Sequence, residues 1–388
     1  MKIAHVVDYF QPQLGYQETF LAQEHARMGH SVWVITSDRY SPILYTGESV
    51  KKLLGDRVVK PGFFIEEGVA VWRLKTLIEF PRSIWMIGLE KKILEINPDI
   101  VIVHGIANIA AIRIALLKGN GTHFKLIYDD HMTFEASRHY LRFLYPLFKF
   151  IFAPIIIRKS NALVGVADTC KLFMNKMYGF PLDKILVIPL GADTTLFKYD
   201  SVAKEKIRKS LGISENEVIF TYAGKIIPVK GPHLLIEAAV ELHKNHENIK
   251  ILLIGNGPSE YIQKIRDYLK LHRCESICIF HDSVKNSELP QFYSAADVAV
   301  WPKEASLSMF EAMACQLPVI ISIDSEVQER LSYNNGFLYN ANDNLDLAKK
   351  MELLLDRNTR KIMGENGREI VNKKFSWKVI GSQFADLF

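Results

Sequence analysis

At 388 residues the chain is too long for one hydrophobic core and requires two or three domains. Hydrophobic residues make up 48 % and charged residues 23 %, ordinary globular values that exclude a disordered chain. The net charge of +5, from 48 basic and 43 acidic side chains, suits phosphate-bearing ligands or an anionic membrane surface and leaves no footprint of a nucleic-acid binder.

Met1 to Val7 runs directly into a polar loop at Asp8, so no signal peptide is expected. No apolar run reaches the ~20 residues that a transmembrane helix needs. The nearest, 140–157, is interrupted by Arg142, Pro146, Lys149 and Pro154 and reads as one or two amphipathic helices. Cys170, Cys274, Cys278 and Cys315 are spaced as neither a disulfide framework nor a zinc site, and a reducing cytosol is the expected compartment.

Short β-branched runs alternate with helical stretches along the whole chain. Strands are predicted at 3–7, 31–36, 69–74, 100–104, 125–128, 162–166 and 185–188, then at 218–222, 250–254, 276–280, 298–301, 319–322 and 336–338. Helical spacing fills the intervals, as with Leu234, Leu235, Ala238, Ala239 and Leu242. This alternation predicts an α/β protein with parallel, doubly wound sheets, divided between Pro189 and Lys206 into two Rossmann-like domains with a cleft between them.

Several loops at strand ends carry chemistry. Gly15 precedes the first long helix, where a backbone must turn sharply or approach a ligand. Gly255-Asn256-Gly257 follows a strand but lacks the rest of a dinucleotide fingerprint, so no NAD or FAD site is read there. Lys225 and Lys230, with Gly224 and Gly231 beside them, lie in a strand-to-helix loop able to place two ammonium groups on a diphosphate; a solvated loop is the plainer alternative. From Asp297 to Ser322 the chain reads strand, loop, helix, strand. The amides of Ser306, Leu307, Ser308 and Met309 would face an anion, and Glu311 would accept from a ribose hydroxyl. Ser308 and Glu311 also have the spacing of a capping box.

Taken in order, these segments resemble family 4 retaining glycosyltransferases. The resemblance rests on the opening strand with Gly15 and Gly29-His30, 97–104, Ile188 to Asp193, Lys225 to Gly231, Ala295-Ala296-Asp297, Glu311 to Ala314 and Pro318 to Ile320. It implies the GT-B fold, with an acceptor-binding domain at 1–195, a nucleotide-sugar-binding domain at 196–375 and a helix at 376–388 crossing back to the first domain. It also implies metal-independent transfer with retention at the anomeric carbon. The donor would be a nucleotide-diphosphate sugar, with no cofactor, and the acceptor a glycan or lipid-linked sugar.

By the same resemblance Lys225 and Lys230 face the donor phosphates, Lys225 standing where an arginine is usual. Glu311 matches the second glutamate of the E-x7-E pattern, which holds the ribose, and Gly15 the first glycine of a pair whose second position is Tyr16. His131 matches a histidine that approaches the transferred sugar. The first glutamate of the pattern falls on Lys303, which cannot accept hydrogen bonds from sugar hydroxyls. Glu304, one residue on, is the candidate to take over by a shifted loop. The catalytic candidates are thus His131, Lys230 and Glu304. A catalytically silent sugar-nucleotide-binding partner and a nucleotide-sugar 2-epimerase are the competing readings. Arg138, Arg142, Lys149, Arg158 and Lys159, interleaved with Tyr140, Phe143, Tyr145, Phe148, Phe150 and Phe152, suit either a helix on an anionic membrane or one packed in the core with its charges in water. The expected location is the cytoplasm, with the inner membrane face as an alternative.

Overall fold

The computed structural model describes residues 1–388 apart from 46–47, 120, 135–136, 138–142, 304–306 and 325–327. It divides into two compact units, Met1–Leu190 with Trp377–Phe388, and Gly191–Ser376. The break lies a few residues before the expected 195/196 because 191–197 is tied to the second unit. There Ala192 N–H donates to the Phe375 carbonyl at 2.8 Å, and Arg368 donates to the Thr194 carbonyl at 2.9 Å and the Phe197 carbonyl at 2.5 Å.

The first unit contains β1 (Lys2–Val6), β2 (Ser31–Ser37), β3 (Gly62–Glu66), β4 (Val69–Leu74), β5 (Thr76–Phe80), β6 (Ser83–Met86), β7 (Ile100–His104), β8 (Lys125–Asp130), β9 (Ala162–Gly165) and β10 (Ile185–Val187). Eight of these form a sheet in the order β10-β9-β8-β7-β1-β2-β4-β3, and β5 and β6 pair separately. All its pairings are parallel except β3 with β4. Alternation along the strands sorts the two faces. Ala4, Val6, Val101, Val103, Leu126 and Tyr128 join one apolar core with the helices Leu89–Ile96 and Ile109–Leu117. The opposite parity carries His5, His104 and Asp129, all buried. The terminal helix Trp377–Ala385 belongs to this unit: Trp377 stacks on Phe20 at 5.3 Å, and Gly381 admits the side chain of Glu24.

The second unit has β11 (Val218–Ala223), β12 (Ile249–Ile254), β13 (Cys278–His281), β14 (Val298–Trp301), β15 (Val319–Ser322) and β16 (Gly336–Tyr339). They form a parallel sheet ordered β13-β12-β11-β14-β15-β16. Every predicted strand forms. The sequence reading omitted β3, β5 and β6, which belong to hairpins and break the strand-helix alternation on which it relied. The β3–β4 turn uses two positive φ angles, 47° at Glu67 and 79° at Gly68, as a tight hairpin requires.

Candidate active site

In the second unit the strand order reverses at β11, whose neighbours are β12 and β14. The chains leaving the carboxyl ends of these two strands diverge, and such a switch point is where doubly wound sheets bind ligands. The segment 224–231 leaves β11 there, and Pro302 and Lys303 follow β14. The first loop is held by backbone contact: Gly224 N–H donates to the Ile254 carbonyl at 3.0 Å and Ile226 N–H to the Asn256 carbonyl at 2.9 Å. A Cβ on Gly255 would lie 1.9 Å from the Gly224 carbonyl oxygen, and one on Gly257 would lie 1.8 Å from that of Ile226. Gly255-Asn256-Gly257 is therefore a seat for the lysine loop.

Lys225 is exposed at the start of this loop and Lys230 half-buried at its end. The Tyr222 hydroxyl donates to the Lys225 carbonyl at 2.8 Å. Pro228–Lys230 makes one 3-10 turn, and Gly231, at φ 71°, starts the helix Pro232–His243. Lys303, following β14, comes to the same place: a Cβ on Gly231 would meet Lys303 Cγ at 2.8 Å. Burial, together with the charge of Lys303, lowers the pKa of His233 two residues further on. The structure thus brings Lys303 to the Lys230–Gly231 turn, a neighbour that sequence spacing did not reveal. Glu304 and Ser306 lie outside the described residues.

Glu311 does not make the capping box that its spacing allows. The helix Ser308–Ala314 begins at Ser308 itself, Leu307 is its N-cap, and no side chain caps it. The Ser308 hydroxyl donates instead to the Ala223 carbonyl at the end of β11, at 3.3 Å, while Tyr293 O–H donates to the Ser308 carbonyl at 3.2 Å. These bonds join the helix start to the switch point. Leu307, Ser308 and Met309 are its first residues, where backbone amides have no acceptor within the helix. Glu311 is 3 % exposed and accepts from Asn286 Nδ2 at 2.9 Å. Burial pushes its pKa up to about 7, with the Asn286 bond opposing the rise. Asn286 had no signal in the sequence, because it reaches Glu311 only through the turn Asn286–Glu288 before the helix Leu289–Ala295.

Beside the same strand ends, a hollow of about 340 Å³ is lined by Ile226, Asn256, Ile262, Arg266, Phe280 and His281. The Arg266 guanidinium lies 4.1 Å from the centre of the Phe280 ring. Ile226, Ile262 and Phe280 beside the polar Asn256, Asp282 and a flat cation suit the faces and edge of a planar heterocycle.

In the first unit Gly15 adopts φ 71°, a left-handed turn between the 3-10 turn Pro12–Leu14 and the helix Gln17–Arg27. Tyr16, half-buried, occupies the extended N-cap position. His131 follows β8 with 42 % of its side chain exposed, its Nε2 3.8 Å from Asp129 Oδ2. Partial desolvation disfavours the charged imidazole, but the charge of Asp129, supported by Glu18 and Asp130, raises its pKa overall. Asp129 was not among the residues singled out; its parity with His104 on adjacent buried strands was the available signal.

The basic-aromatic segment divides by face. Tyr145 and Phe148 are buried, whereas Phe143 is 69 %, Leu147 52 % and Phe150 77 % exposed. A hollow of about 640 Å³ beside Phe150 is lined by Lys149, Arg158, Tyr178 and Lys184. Arg138, Tyr140 and Arg142 lie outside the described residues. No helix of the described residues is long and apolar enough to cross a membrane, and no group of metal-binding side chains occurs among them.

Two family models match the chain, Glycosyltransferase Family 4 over residues 19–196 and Glycosyl transferases group 1 over residues 203–370. D-inositol 3-phosphate glycosyltransferase of Xylanimonas cellulosilytica is 27 % identical over 244 residues, 60 % of this chain and 58 % of the relative. That match spans little more than half of the relative's length. Alpha-monoglucosyldiacylglycerol synthase of Acholeplasma laidlawii is 25 % identical over 382 residues, 93 % of this chain and 89 % of the relative. The crystal structure of Anabaena HepE in complex with UDP aligns with a TM-score of 0.76 at 17 % identity, covering 100 % of this chain and 99 % of that one. The family models meet the two units in order and the structural likeness extends over both, so the chain belongs to glycosyltransferase family 4 and has the GT-B fold.

Proposed function

We propose that the protein is a retaining, metal-independent hexosyltransferase that takes its sugar from a nucleotide-diphosphate sugar and passes it to a glycan or lipid-linked acceptor. The observation that carries this reading is the switch point of the second unit. A buried carboxyl, Glu311, and a cationic turn formed by Lys230, Gly231 and Lys303 stand at the carboxyl ends of adjacent strands. Ribose hydroxyls donate to Glu311, the diphosphate meets Lys225, Lys230 and the first amides of the Ser308–Ala314 helix, and the base occupies the hollow by Arg266. UDP in the HepE structure and the lipid acceptor named for the Acholeplasma enzyme support this class of donor and acceptor.

In this reading the bond from the anomeric carbon to the β-phosphate oxygen breaks as the acceptor oxygen bonds the same face of the sugar. The departing phosphate takes the acceptor's proton. The protein positions both partners and stabilises the charge growing on the leaving group. A thermal-shift screen of UDP, GDP and ADP sugars tests the donor assignment: one nucleotide series stabilises the protein, whereas no shift with any of them removes the assignment.

The contact of Lys303 with Gly231 favours Lys303 as a further phosphate ligand. Lys303→Ala is expected to weaken donor binding about tenfold, and Glu304→Ala to leave transfer near the wild-type rate. Side-by-side kinetics with the true donor check the ranking; a larger loss in transfer for Glu304→Ala would return the sugar hydroxyls to that carboxylate.

The acceptor side involves a surface. Phe143, Leu147 and Phe150 project beside Lys149 and Arg158, the mixture that suits insertion at an anionic lipid interface at the inner membrane face. The protein is expected to sediment with anionic vesicles at low salt. Ser at 143, 147 and 150 should abolish this without unfolding, since these side chains are exposed while Phe148 is core. Failure to bind anionic vesicles would exclude the surface role.

A further inference from the structure

On the face of the first sheet opposite its apolar core, four imidazoles and a carboxylate stand in series. His25 Nδ1 is 3.2 Å from His5 Nε2, His5 Nδ1 is 3.0 Å from His104 Nε2, and His104 Nδ1 is 3.0 Å from Asp129 Oδ2. Gln17 Nε2 donates to the same Asp129 oxygen at 3.0 Å, and His131 Nε2 stands 3.8 Å from it. His5, His25 and Asp129 are each 0 % exposed. Apolar side chains would make a cheaper core here, so stability does not account for the array.

Its polarity follows from the carboxylate. Burial alone would raise the pKa of Asp129, but the charge and hydrogen bond of His104, with the charge of His131, outweigh it and keep the group ionised. An ionised carboxylate only accepts, so His104 donates from Nδ1. His104 Nε2 then shares a hydrogen with His5 Nδ1, and His5 Nε2 shares one with His25 Nδ1. Burial lowers the pKa of both His5 and His25, with neighbouring imidazoles adding to the effect, which keeps these rings neutral. The series ends with His25 against the rings of Phe388, at 5.1 Å, and Phe384, at 6.5 Å. The Gly381 backbone also meets His25 and opposes the lowering of its pKa, so the series is tied down at this end and serves to fix orientation. At the other end Asp129 Oδ1, fully buried, has no partner among the described residues.

We propose that Asp129, locked by Gln17 and by the His104–His5–His25 series, is the positioning residue that orients His131 for contact with the substrate. The proposal rests on the reading of His131 as a substrate-facing ring. The 3.8 Å gap closes when substrate is bound, as apo hydrogen bonds of this kind tighten in the complex. The charged groups facing His131 are Asp129 and Asp130 from β8 and its end, and Glu18 from the helix Gln17–Arg27.

Histidine side-chain nitrogen NMR of the whole protein tests this, with signals assigned by single His→Gln variants. His5 and His25 should be neutral rings, and the His131 pKa should fall in Asp129→Asn. In a transfer assay Asp129→Asn should lose kcat about tenfold or more with KM for the donor nearly unchanged, and Asp129→Glu should recover part of the loss. A His131 pKa unmoved in a folded Asp129→Asn protein overturns the proposal. Because the NMR readouts require no turnover, they stand or fall apart from the assignment of glycosyl transfer.

Discussion

Glu311→Gln is expected to weaken binding of the intact nucleotide sugar ten- to hundredfold at pH 8, the loss of one hydrogen bond to a buried charged acceptor at about 1.5 to 3 kcal/mol. The buried carboxyl titrates near 7 against an ordinary value of 4.5. Between those pH values the folded chain holds a proton that the unfolded chain releases. Its stability contribution is therefore full below about pH 4.5 and is lost as pH rises through 7, roughly 3 kcal/mol in all. Gln cannot titrate, so the variant should lack this slope. Ribose hydroxyls favour the ionised form, so wild-type affinity should climb from pH 5 to about 7 and then level, while the variant's stays flat. Calorimetry with the intact nucleotide sugar is the appropriate check, since its phosphates do not ionise near neutrality as the terminal phosphate of a free nucleotide diphosphate does. Equal affinity of the two proteins at pH 8 would remove Glu311 from the site.

Lys230→Ala should lower turnover at least tenfold, about 1.4 kcal/mol of transition-state stabilisation. Charge grows on the departing phosphate, so the loss should appear in kcat more than in donor KM. Lys230 ends a 3-10 turn whose geometry is set by Gly231 and by the seat on Gly255 and Gly257, and truncation of its side chain leaves that backbone intact. The melting temperature should therefore change little. An unchanged kcat in a folded variant would contradict the phosphate role.

Much of the fold was legible because parallel strands buried on both faces read as continuous β-branched runs, as in Ile251 to Ile254 and Val298 to Trp301. Hairpin strands such as Gly62–Glu66, with Phe63 48 % and Ile65 66 % exposed, lack that signature. Within the donor site, Lys225, Lys230 and Glu311 could be read because each lies in a loop or first turn directly after a recognisable strand. Spacing could not exclude a capping box for Glu311; that required the position of the Ser308 hydroxyl, which only the folded chain provides. Lys303 appeared as a lost glutamate in the sequence and as a neighbour of the phosphate turn in the structure. The histidine series was hidden for a related reason. His5, His25, His104 and Asp129 are far apart in sequence; His5 and His104 each read as an isolated polar residue in an apolar run, and His25 as one of several polar residues on a helix. The shared parity of His5, His104 and Asp129 on β1, β7 and β8 was visible, but their contact depends on strand order.

The central claim is transfer from a bound nucleotide sugar, without metal and with retention. A proton NMR time course of wild-type protein with the stabilising donor, an isolated lipid or glycan acceptor fraction and EDTA follows donor, product and free nucleotide diphosphate together. The account predicts acceptor-dependent release of the nucleotide diphosphate and a product whose anomeric coupling matches that of the donor. Donor left intact in the presence of acceptor would identify a silent binding partner, and free 2-acetamido sugar in place of a glycoside would identify an epimerase. An inverted coupling or a block by EDTA would contradict the mechanism.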